Sequence, residues 1–166
     1  MLAAGCSRSA ERPTRDPAHV EAQIVDRAQL DTLLASRRGD VVLVDYWARW
    51  CEQCVENLPH MIELADRDWN RGLSVVMLDM EAPESVESVT AFLQERRAGT
   101  AIHAVSKSGG SSDSMELFAV PDGTLPCYKL YDRKGQLRHT FAVDPSAEKQ
   151  FTLQDIDAAV EQLLAE

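Results

Sequence analysis

The sequence predicts an α/β fold in which a mixed central β-sheet is flanked by helices on both faces. Three observations support this prediction. The length of 166 residues suits one domain with a substantial core, strand and helix patterns alternate through most of the chain, and a hairpin followed by one helix closes it. Alternating strands and helices favour parallel strands, whereas the hairpin adds antiparallel ones, so we expect a mixed sheet.

The first elements of the predicted domain are two strands and two helices. A short strand is expected at 20–25, followed by a helix that Asp26 caps and Gly39 ends. A nearly continuous β-branched run predicts a buried strand at 41–46. The long helix 51–71 has apolar residues at steps of three and four, which predict its inner face. These residues are Val55, Leu58, Ile62, Ala65 and Trp69.

The middle of the chain adds two strands and a third helix. The run 73–80 predicts a second buried strand, and Pro83 opens the helix that follows it. An additional short strand is expected at 100–105. The Gly/Ser-rich segment 106–114 is interpreted as a passive connector, and 115–120 as a single helical turn.

The last elements are a hairpin and a helix. The hairpin strands are expected at 127–131 and 136–143, around a DRKG turn. Thr152 is expected to cap the final helix, with Asp155 completing a capping box. The hairpin supplies the antiparallel part of the expected mixed sheet.

Composition and charge exclude some classes of partner. The chain carries 17 basic and 27 acidic residues, a net charge of −10. Without a basic patch, nucleic acid is not an expected partner. The sequence has no apolar run of about 18 residues, so we expect no transmembrane helix.

The amino-terminal residues are predicted to lie outside the domain. The start, MLAAGCS, places small residues before Cys6 and resembles a bacterial lipobox, in which that cysteine carries a lipid. The polar stretch 7–19 reads as a flexible tether. We therefore assign 1–18 to a signal remnant with lipobox and tether, and 19–166 to the domain. Only five residues precede Cys6, too few for a signal-peptide core, so a free cysteine in a disordered tail is the alternative.

Two cysteines three positions apart mark the turn from the predicted strand 41–46 into the long helix, in the stretch WCEQC. Cys51 would lie at the helix start, where free backbone N–H groups and the helix dipole stabilise a thiolate and lower its pKa. Cys54 would lie one turn later on the same side, within disulfide reach. The pattern predicts that Cys51 attacks a disulfide and that Cys54 resolves the mixed disulfide.

A metal-binding role for this pair has less support. A closed zinc site needs four ligands, and the sequence offers neither a second CxxC nor a His-x3–5-His spacing. We therefore expect no metal and no cofactor. The alternative is a module in which the two thiolates hold a soft metal such as Cu(I), or an adaptor.

The stretch VDYWARWCEQCVENLP resembles the active-site segment of the thioredoxin superfamily. The matching positions are Trp47, Trp50, Cys51, Cys54 and Pro59. Asp45 falls on the position of the family's buried acid, and TLPCYKLYDRKGQ resembles the segment with the family's cis-proline, here Pro126. Glu52, the added strand and the possible lipoprotein tether make the chain most similar to the membrane-anchored, extracytoplasmic TlpA/ResA-like group.

The resemblance implies roles for the residues around the cysteines. Asp45 would accept the proton of Cys54, the alternative being a polar strand residue bonded to backbone. Trp50, Leu125 and Pro126 would contact the substrate, which could add as a β-strand beside the proline.

Three further positions leave open questions. Gln53 stands where the group often has proline, and this leaves the redox potential open. Asn57 stands where the group often has glutamate, so the role of that acid is not transferred to this chain. Cys127 follows Pro126 and is interpreted as a small hydrophobic residue, with a third redox thiol as the alternative.

The predicted function is a thiol–disulfide oxidoreductase that acts on partner proteins, in the reductive direction. The expected partners carry a disulfide or a dithiol, and an upstream membrane electron donor would supply electrons. The expected location is extracytoplasmic, on the periplasmic side, with membrane contact only through a lipid on Cys6. A peroxidase is discounted because the stretch before Cys51 lacks the P-x-x-x-T-x-x-C pattern.

Overall fold

The computed structural model describes residues 15–166 and confirms the predicted alternation of strands and helices. Its strands are Ala22–Val25 (β1), Val41–Trp47 (β2), Leu73–Asp79 (β3), Ile102–Ser106 (β4), Cys127–Tyr131 (β5) and Leu137–Ala142 (β6). Its α-helices are Arg27–Ala35 (α1), Glu52–Asp68 (α2), Val86–Glu95 (α3), Ser112–Leu117 (α4) and Leu153–Ala165 (α5). Short 3-10 turns occur at Trp69–Arg71, Pro83–Ser85 and Pro121–Gly123.

The strands form one mixed sheet in the order β1-β4-β3-β2-β5-β6. The first four are parallel, whereas β5 runs antiparallel to β2 and β6 antiparallel to β5. The expected mixed sheet is confirmed, and the strand predicted at 100–105 is β4, which pairs with both β1 and β3. Because β5 is reversed, its first residue lies at the sheet edge where β2 and β3 end. We refer to this border, which the carboxyl ends of the parallel strands form, as the sheet edge. It carries the candidate site.

Helices cover both faces of the sheet, as predicted. One hydrophobic cluster joins the sheet to α2, α3 and α5, and a second joins it to α1 and α4. Side chains along β2 alternate between the two clusters, so Leu43 and Trp47 belong to the first and Val44 and Tyr46 to the second. Asp45 therefore lies on the face that α2 covers.

The predicted helix caps are present at both ends of the domain. The side chain of Asp26 accepts a hydrogen bond from the N–H of Gln29 at 2.9 Å, and the side-chain oxygen of Gln29 accepts one from the N–H of Asp26 at 2.9 Å. Thr152 and Asp155 form the same reciprocal pair at the start of α5. These local patterns were readable from sequence because a capping box depends on residues only three positions apart.

Several predicted boundaries shift by a few residues. Strand β1 begins at Ala22 rather than at 20, and α1 ends at Ala35 rather than at Gly39. Gly39 instead takes a positive φ of 101° in the turn that leads into β2. Helix α4 starts at Ser112, three residues earlier than predicted, because the side chain of Ser111 caps it.

The predicted inner face of the long helix is confirmed at Leu58, Ala65 and Trp69, which are buried. Val55 and Ile62, expected inside, are only partly buried. The buried residues of this helix are Cys54, Asn57, Leu58, Met61, Leu64, Ala65 and Asp68. Cys54 is turned inward, and residues three, four and seven positions later follow it onto the same face of the helix.

The last residues of the expected tether pack against the domain. The Arg15 guanidinium donates to the backbone oxygens of Thr100 and Ala101 at 3.2 and 2.9 Å, and the N–H of Gly99 donates to Pro17 at 2.9 Å. The predicted lipobox cysteine, Cys6, lies outside the described residues. Within residues 15–166, no helix combines the length and apolar character needed to cross a membrane.

Candidate active site

Cys51 is the N-cap residue of α2, as the sequence predicted. Its sulfur accepts a hydrogen bond from the backbone N–H of Cys54 at 3.3 Å. The two cysteines form a disulfide with a Cα–Cα distance of 5.2 Å. Cys51 is 8% exposed and Cys54 2% exposed. An N-cap sulfur that already accepts a helix N–H is placed so that its thiolate would be stabilised by the helix start.

Asp45 is a buried acid on β2, on the face that α2 and the disulfide occupy. It is 2% exposed, and its Oδ1 atom has no hydrogen-bond partner among the described residues. Burial raises the pKa of Asp45 to about 8, because a carboxylate loses its hydration in an apolar environment. A carboxyl group with a pKa near neutrality can both accept and return a proton.

Pro126 lies at the start of β5, and the Leu125–Pro126 peptide bond is cis, as the resemblance implied. The next residue, Cys127, pairs in register with Tyr46 near the end of β2. The proline is therefore brought to the same sheet edge as the strand-to-helix turn that carries Cys51. Leu125 is partly buried and Pro126 is buried.

Cys127 faces away from the disulfide. It belongs to the hydrophobic cluster on the α1 and α4 face, whereas Cys51 and Cys54 belong to the cluster on the α2 face. Its side chain is 0% exposed, and burial raises the pKa of its thiol to about 11. This position favours the interpretation of Cys127 as a small buried hydrophobic residue.

Trp50 is the exposed aromatic residue of the site, with 63% of its surface accessible. The segment 106–114, interpreted from sequence as a passive connector, lies against it. A Cβ atom at Gly110 would lie 3.5 Å from Cζ2 of Trp50 and 2.6 Å from the backbone oxygen of Met80. This close approach explains a glycine at 110 and makes the segment part of the surface around Trp50.

Sequence reasoning missed a second group of charged residues at this edge. Asp79 ends β3, opposite Trp47 in the register, and its Oδ1 accepts the N–H of Glu81 at 2.7 Å. The carboxylate of Glu81 pairs with Arg49, two residues before Cys51, at 2.7 Å. The signal that could have revealed Asp79 is the one used for Asp45, an acid near the end of a buried apolar strand.

A chain of amides connects the CxxC to β5. The side-chain nitrogen of Gln53 donates to the oxygen of Asn57 at 3.1 Å, and the nitrogen of Asn57 donates to the hydroxyl of Tyr128 at 3.1 Å. Tyr128 is directly opposite Asp45 in the strand register. Gln53, Asn57 and Pro126 also line a pocket of about 390 Å³, together with residues 150–153 before and at the start of α5.

Within residues 15–166, no cluster of three or more His, Cys, Asp or Glu side chains is arranged to hold a metal ion. Among the described cysteines, the pair Cys51 and Cys54 is joined in the disulfide and Cys127 is a free thiol.

Comparisons with known proteins agree with this architecture. No protein-family model matches the chain. Two relatives share part of the sequence, and both are named thiol-disulfide oxidoreductase ResA. The one from Bacillus cereus is 29% identical over 51 residues, 31% of this chain and 30% of that protein. The one from Oceanobacillus iheyensis is 28% identical over 74 residues, 44% of this chain and 38% of that protein. The match thus spans about a third of each relative.

Solved structures match a larger share of the chain. A putative thiol:disulfide interchange protein DsbE from Chlorobium tepidum has a TM-score of 0.57 and 24% identity, covering 80% of this chain and 83% of that one. A secreted disulfide oxidoreductase from Mycobacterium tuberculosis has a TM-score of 0.57 and 18% identity, covering 78% and 86%. The exposed lipoprotein thioredoxin Etrx1 of Streptococcus pneumoniae has a TM-score of 0.54 and 19% identity, covering 78% and 90%.

The structural similarity extends over a larger share of the chain than the sequence similarity does. The structural matches cover about four-fifths of the chain, whereas the sequence matches cover less than half of it. The protein thus has the predicted thioredoxin-like fold, and its expected resemblance to the TlpA/ResA-like group of the thioredoxin superfamily is confirmed.

Proposed function

We propose that this protein is a thiol–disulfide oxidoreductase that exchanges disulfides with partner proteins through Cys51 and Cys54. The observation that carries the proposal is the Cys51–Cys54 disulfide at the start of α2, with the sulfur of Cys51 bonded to a helix N–H. The relatives named ResA and the fold likeness support the same chemistry.

The proposed reaction begins with the reduced pair. The thiolate of Cys51 attacks one sulfur of a partner disulfide, forms a mixed disulfide and expels the other partner sulfur as a thiolate. Cys54 then gives its proton to Asp45 and attacks the sulfur of Cys51. The Cys51–Cys54 disulfide forms, the partner leaves as a dithiol after proton uptake, and two electrons have moved to the partner.

Partner contact is proposed at the surface around the cysteines. Trp50 is exposed and presents a large aromatic face beside Cys51. The backbone at Leu125 and Pro126 borders the same edge, where an extended partner segment can pair by β-addition. Aromatic residues at such edges contribute much apolar contact area for little loss of side-chain freedom.

The proposed location is outside the cytoplasm, on the periplasmic side, with a lipid on Cys6 as the membrane anchor. The description of the Streptococcus pneumoniae neighbour as an exposed lipoprotein supports this placement. An upstream membrane donor would return two electrons to the disulfide after each turnover, which makes the proposed direction reductive. Incorporation of labelled palmitate that a Cys6→Ser variant loses is the expected result, and equal labelling of both forms would contradict the anchor.

Insulin reduction by dithiothreitol tests the proposed activity. The wild-type protein is expected to accelerate the reaction, and Cys51→Ser to abolish the acceleration. Cys54→Ser is expected to accumulate a mixed disulfide with the substrate, because the resolving thiol is missing. Cys127→Ala is the matched control and is expected to retain activity.

The same samples separate the redox proposal from the metal-binding alternative. Metal content is measured after purification under reducing conditions, together with the reduction potential of the Cys51–Cys54 pair against glutathione. A potential near −270 mV is expected for a reductant. Stoichiometric metal bound by the wild-type protein, with no insulin reduction, would overturn the proposal.

A further inference from the structure

Arg49 and Glu81 form a bidentate ion pair between the turn that precedes Cys51 and the segment that follows β3. The Nε atom of Arg49 donates to Oε1 of Glu81 at 2.8 Å, and Nη2 donates to Oε2 at 2.7 Å. Two parallel hydrogen bonds between charged groups fix both distance and orientation. We refer to this pair as the Arg49–Glu81 clamp.

The clamp also holds the backbone of the turn. The backbone N–H of Arg49 donates to Oε1 of Glu81 at 3.0 Å, and Nη2 donates to the hydroxyl of Ser88 on α3 at 3.0 Å. The N–H of Cys51 donates to the oxygen of Ala48 at 3.1 Å, so Arg49 and Trp50 are the central residues of a tight turn. The carboxylate of Glu81 therefore binds both the backbone and the side chain of Arg49 and fixes the turn that precedes Cys51.

Glu81 is itself held in place and charged. Its backbone N–H donates to Oδ1 of the buried Asp79 at 2.7 Å, and its side chain is 12% exposed. The hydrogen bonds from Arg49 lower the pKa of Glu81. The carboxylate therefore stays ionised at neutral pH and stays opposite the guanidinium.

The position of the clamp gives it an electrostatic consequence. Two peptide units separate Arg49 from Cys51, so their Cα atoms lie within about 7 Å of each other. An unpaired cation carried on this turn would stabilise the thiolate of Cys51. Other titratable groups at this sheet edge are the thiol of Cys54 in the reduced protein and the acids Asp45, Asp79 and Glu52. Glu81 neutralises the charge of Arg49, the cation of the turn.

We propose that the Arg49–Glu81 clamp is a positioning pair for Cys51, which holds the preceding turn and cancels the charge of Arg49 so that the helix start sets the reactivity of the thiolate. The inference rests on the proposed role of Cys51 as the attacking thiol. It predicts opposite effects when either partner is neutralised, because each single variant leaves the other charge unpaired.

The test measures the pKa of the Cys51 thiol in the fully reduced protein. The rate of alkylation by iodoacetamide is followed from pH 4 to 10, with peptide mapping to assign the label to Cys51. Glu81→Gln is expected to lower this pKa by roughly half a unit to one unit, and Arg49→Gln to raise it by a similar amount. The double variant Arg49→Gln/Glu81→Gln is expected to return close to the wild-type value, because its charges are balanced again.

A matched control lies at the far end of α2. Arg71 and Glu161 form a second bidentate pair, with distances of 2.6 and 2.7 Å. Arg71 follows Cys51 by twenty residues of mostly helical chain, roughly 30 Å away. Arg71→Gln and Glu161→Gln are expected to leave the pKa of the Cys51 thiol unchanged.

The compensation pattern decides between charge cancellation and a purely structural role. If both single variants shift the pKa of Cys51 in the same direction, or the double variant departs as far as the singles, the inference is wrong. No shift in any variant would equally overturn it. Alkylation needs no protein partner, so these outcomes are separate from a failure of the wild-type protein to reduce insulin, which would refute the proposed function instead.

Discussion

Asp45 and Asp79 are two buried acids near the ends of neighbouring parallel strands, and they differ in their hydrogen bonds. Both lie on the face that α2 covers, since Asp45 alternates with Leu43 and Trp47 on β2, and Asp79 lies opposite Trp47 on β3. Oδ1 of Asp79 accepts the N–H of Glu81 and its Oδ2 has no partner, whereas Asp45 lacks such a backbone bond and its Oδ1 has no partner within residues 15–166. Burial raises the pKa of Asp45 to about 8 and that of Asp79 to about 7.

The comparison of the two acids shows that burial has the largest effect on both pKa values. Loss of hydration raises the pKa of both carboxyl groups, and the backbone hydrogen bond from Glu81 offsets part of that rise for Asp79. Oδ1 of Asp79 thereby binds the backbone of the segment that follows β3. Each acid keeps one buried oxygen without a hydrogen-bond partner among the described residues, Oδ1 of Asp45 and Oδ2 of Asp79, so the bond to Glu81 is what distinguishes them.

The largest expected effect is that of Asp45→Asn on exchange. The variant cannot accept the proton of Cys54, so the resolving step is expected to slow on the order of 10²-fold at pH 8 and above, where wild-type Asp45 is largely ionised. Single-turnover reaction of the reduced protein with a disulfide peptide, followed by tryptophan fluorescence, measures this rate. An unchanged rate would remove Asp45 from the mechanism and leave it as a polar strand residue.

The same variant is expected to change the pH dependence of stability. The folded state holds a proton on Asp45 up to about pH 8, whereas the unfolded chain loses it near pH 4. Between these values wild-type stability falls as pH rises, by up to about 1.4 kcal/mol per pH unit from this group. Urea unfolding at pH 5 and pH 8 is expected to show a smaller difference for Asp45→Asn than for the wild type.

Asp79→Asn is expected to show a weaker effect of the same sign. The pKa of Asp79 in the folded state is about 7. The stability that its bound proton contributes is therefore lost by about pH 7, one pH unit below the corresponding limit for Asp45. The asparagine oxygen can still accept the N–H of Glu81. Urea unfolding at pH 5, 7 and 8 measures the effect, and a larger change than that of Asp45→Asn would reverse the order we infer for the two acids.

Tyr128→Phe is expected to cost about 1 kcal/mol of stability and to leave the fold intact. The variant keeps the aromatic ring beside Asp45 but leaves the nitrogen of Asn57 without its buried acceptor. Thermal unfolding measures the loss, with Tyr131→Phe on the same strand as the matched control. Equal losses in the two variants would show that the Asn57–Tyr128 hydrogen bond contributes little.

Cys127→Ala is expected to have the smallest effect on exchange. Its thiol lies on the opposite face of the sheet from the disulfide, so insulin reduction and the Cys51–Cys54 potential should both be unchanged. The oxidised Cys51→Ser variant provides the complementary measurement by mass spectrometry. A Cys54–Cys127 disulfide in that variant would instead support a third redox thiol.

Local patterns carried most of the prediction of the fold. The buried runs at β2 and β3, the caps Asp26 and Thr152, and the hairpin were all readable because each depends on residues close together in sequence. The inner face of α2 was predicted only in part, since Leu58 and Ala65 are buried whereas Val55 and Ile62 are only partly buried. Apolar spacing leaves a tolerance of about one residue in helix rotation, and contacts with the sheet select within it.

The sequence by itself determined the reactive pair, since the helix start and the one-turn spacing place Cys51 and Cys54 together. Tertiary structure decided what surrounds them: the Arg49–Glu81 clamp, the approach of Gly110 to Trp50, and the amide chain from Asn57 to Tyr128. These contacts join segments far apart in the chain. Their proximity follows from the strand order, which brings the ends of β2, β3 and β4 and the start of β5 to one edge, and no local periodicity encodes that order.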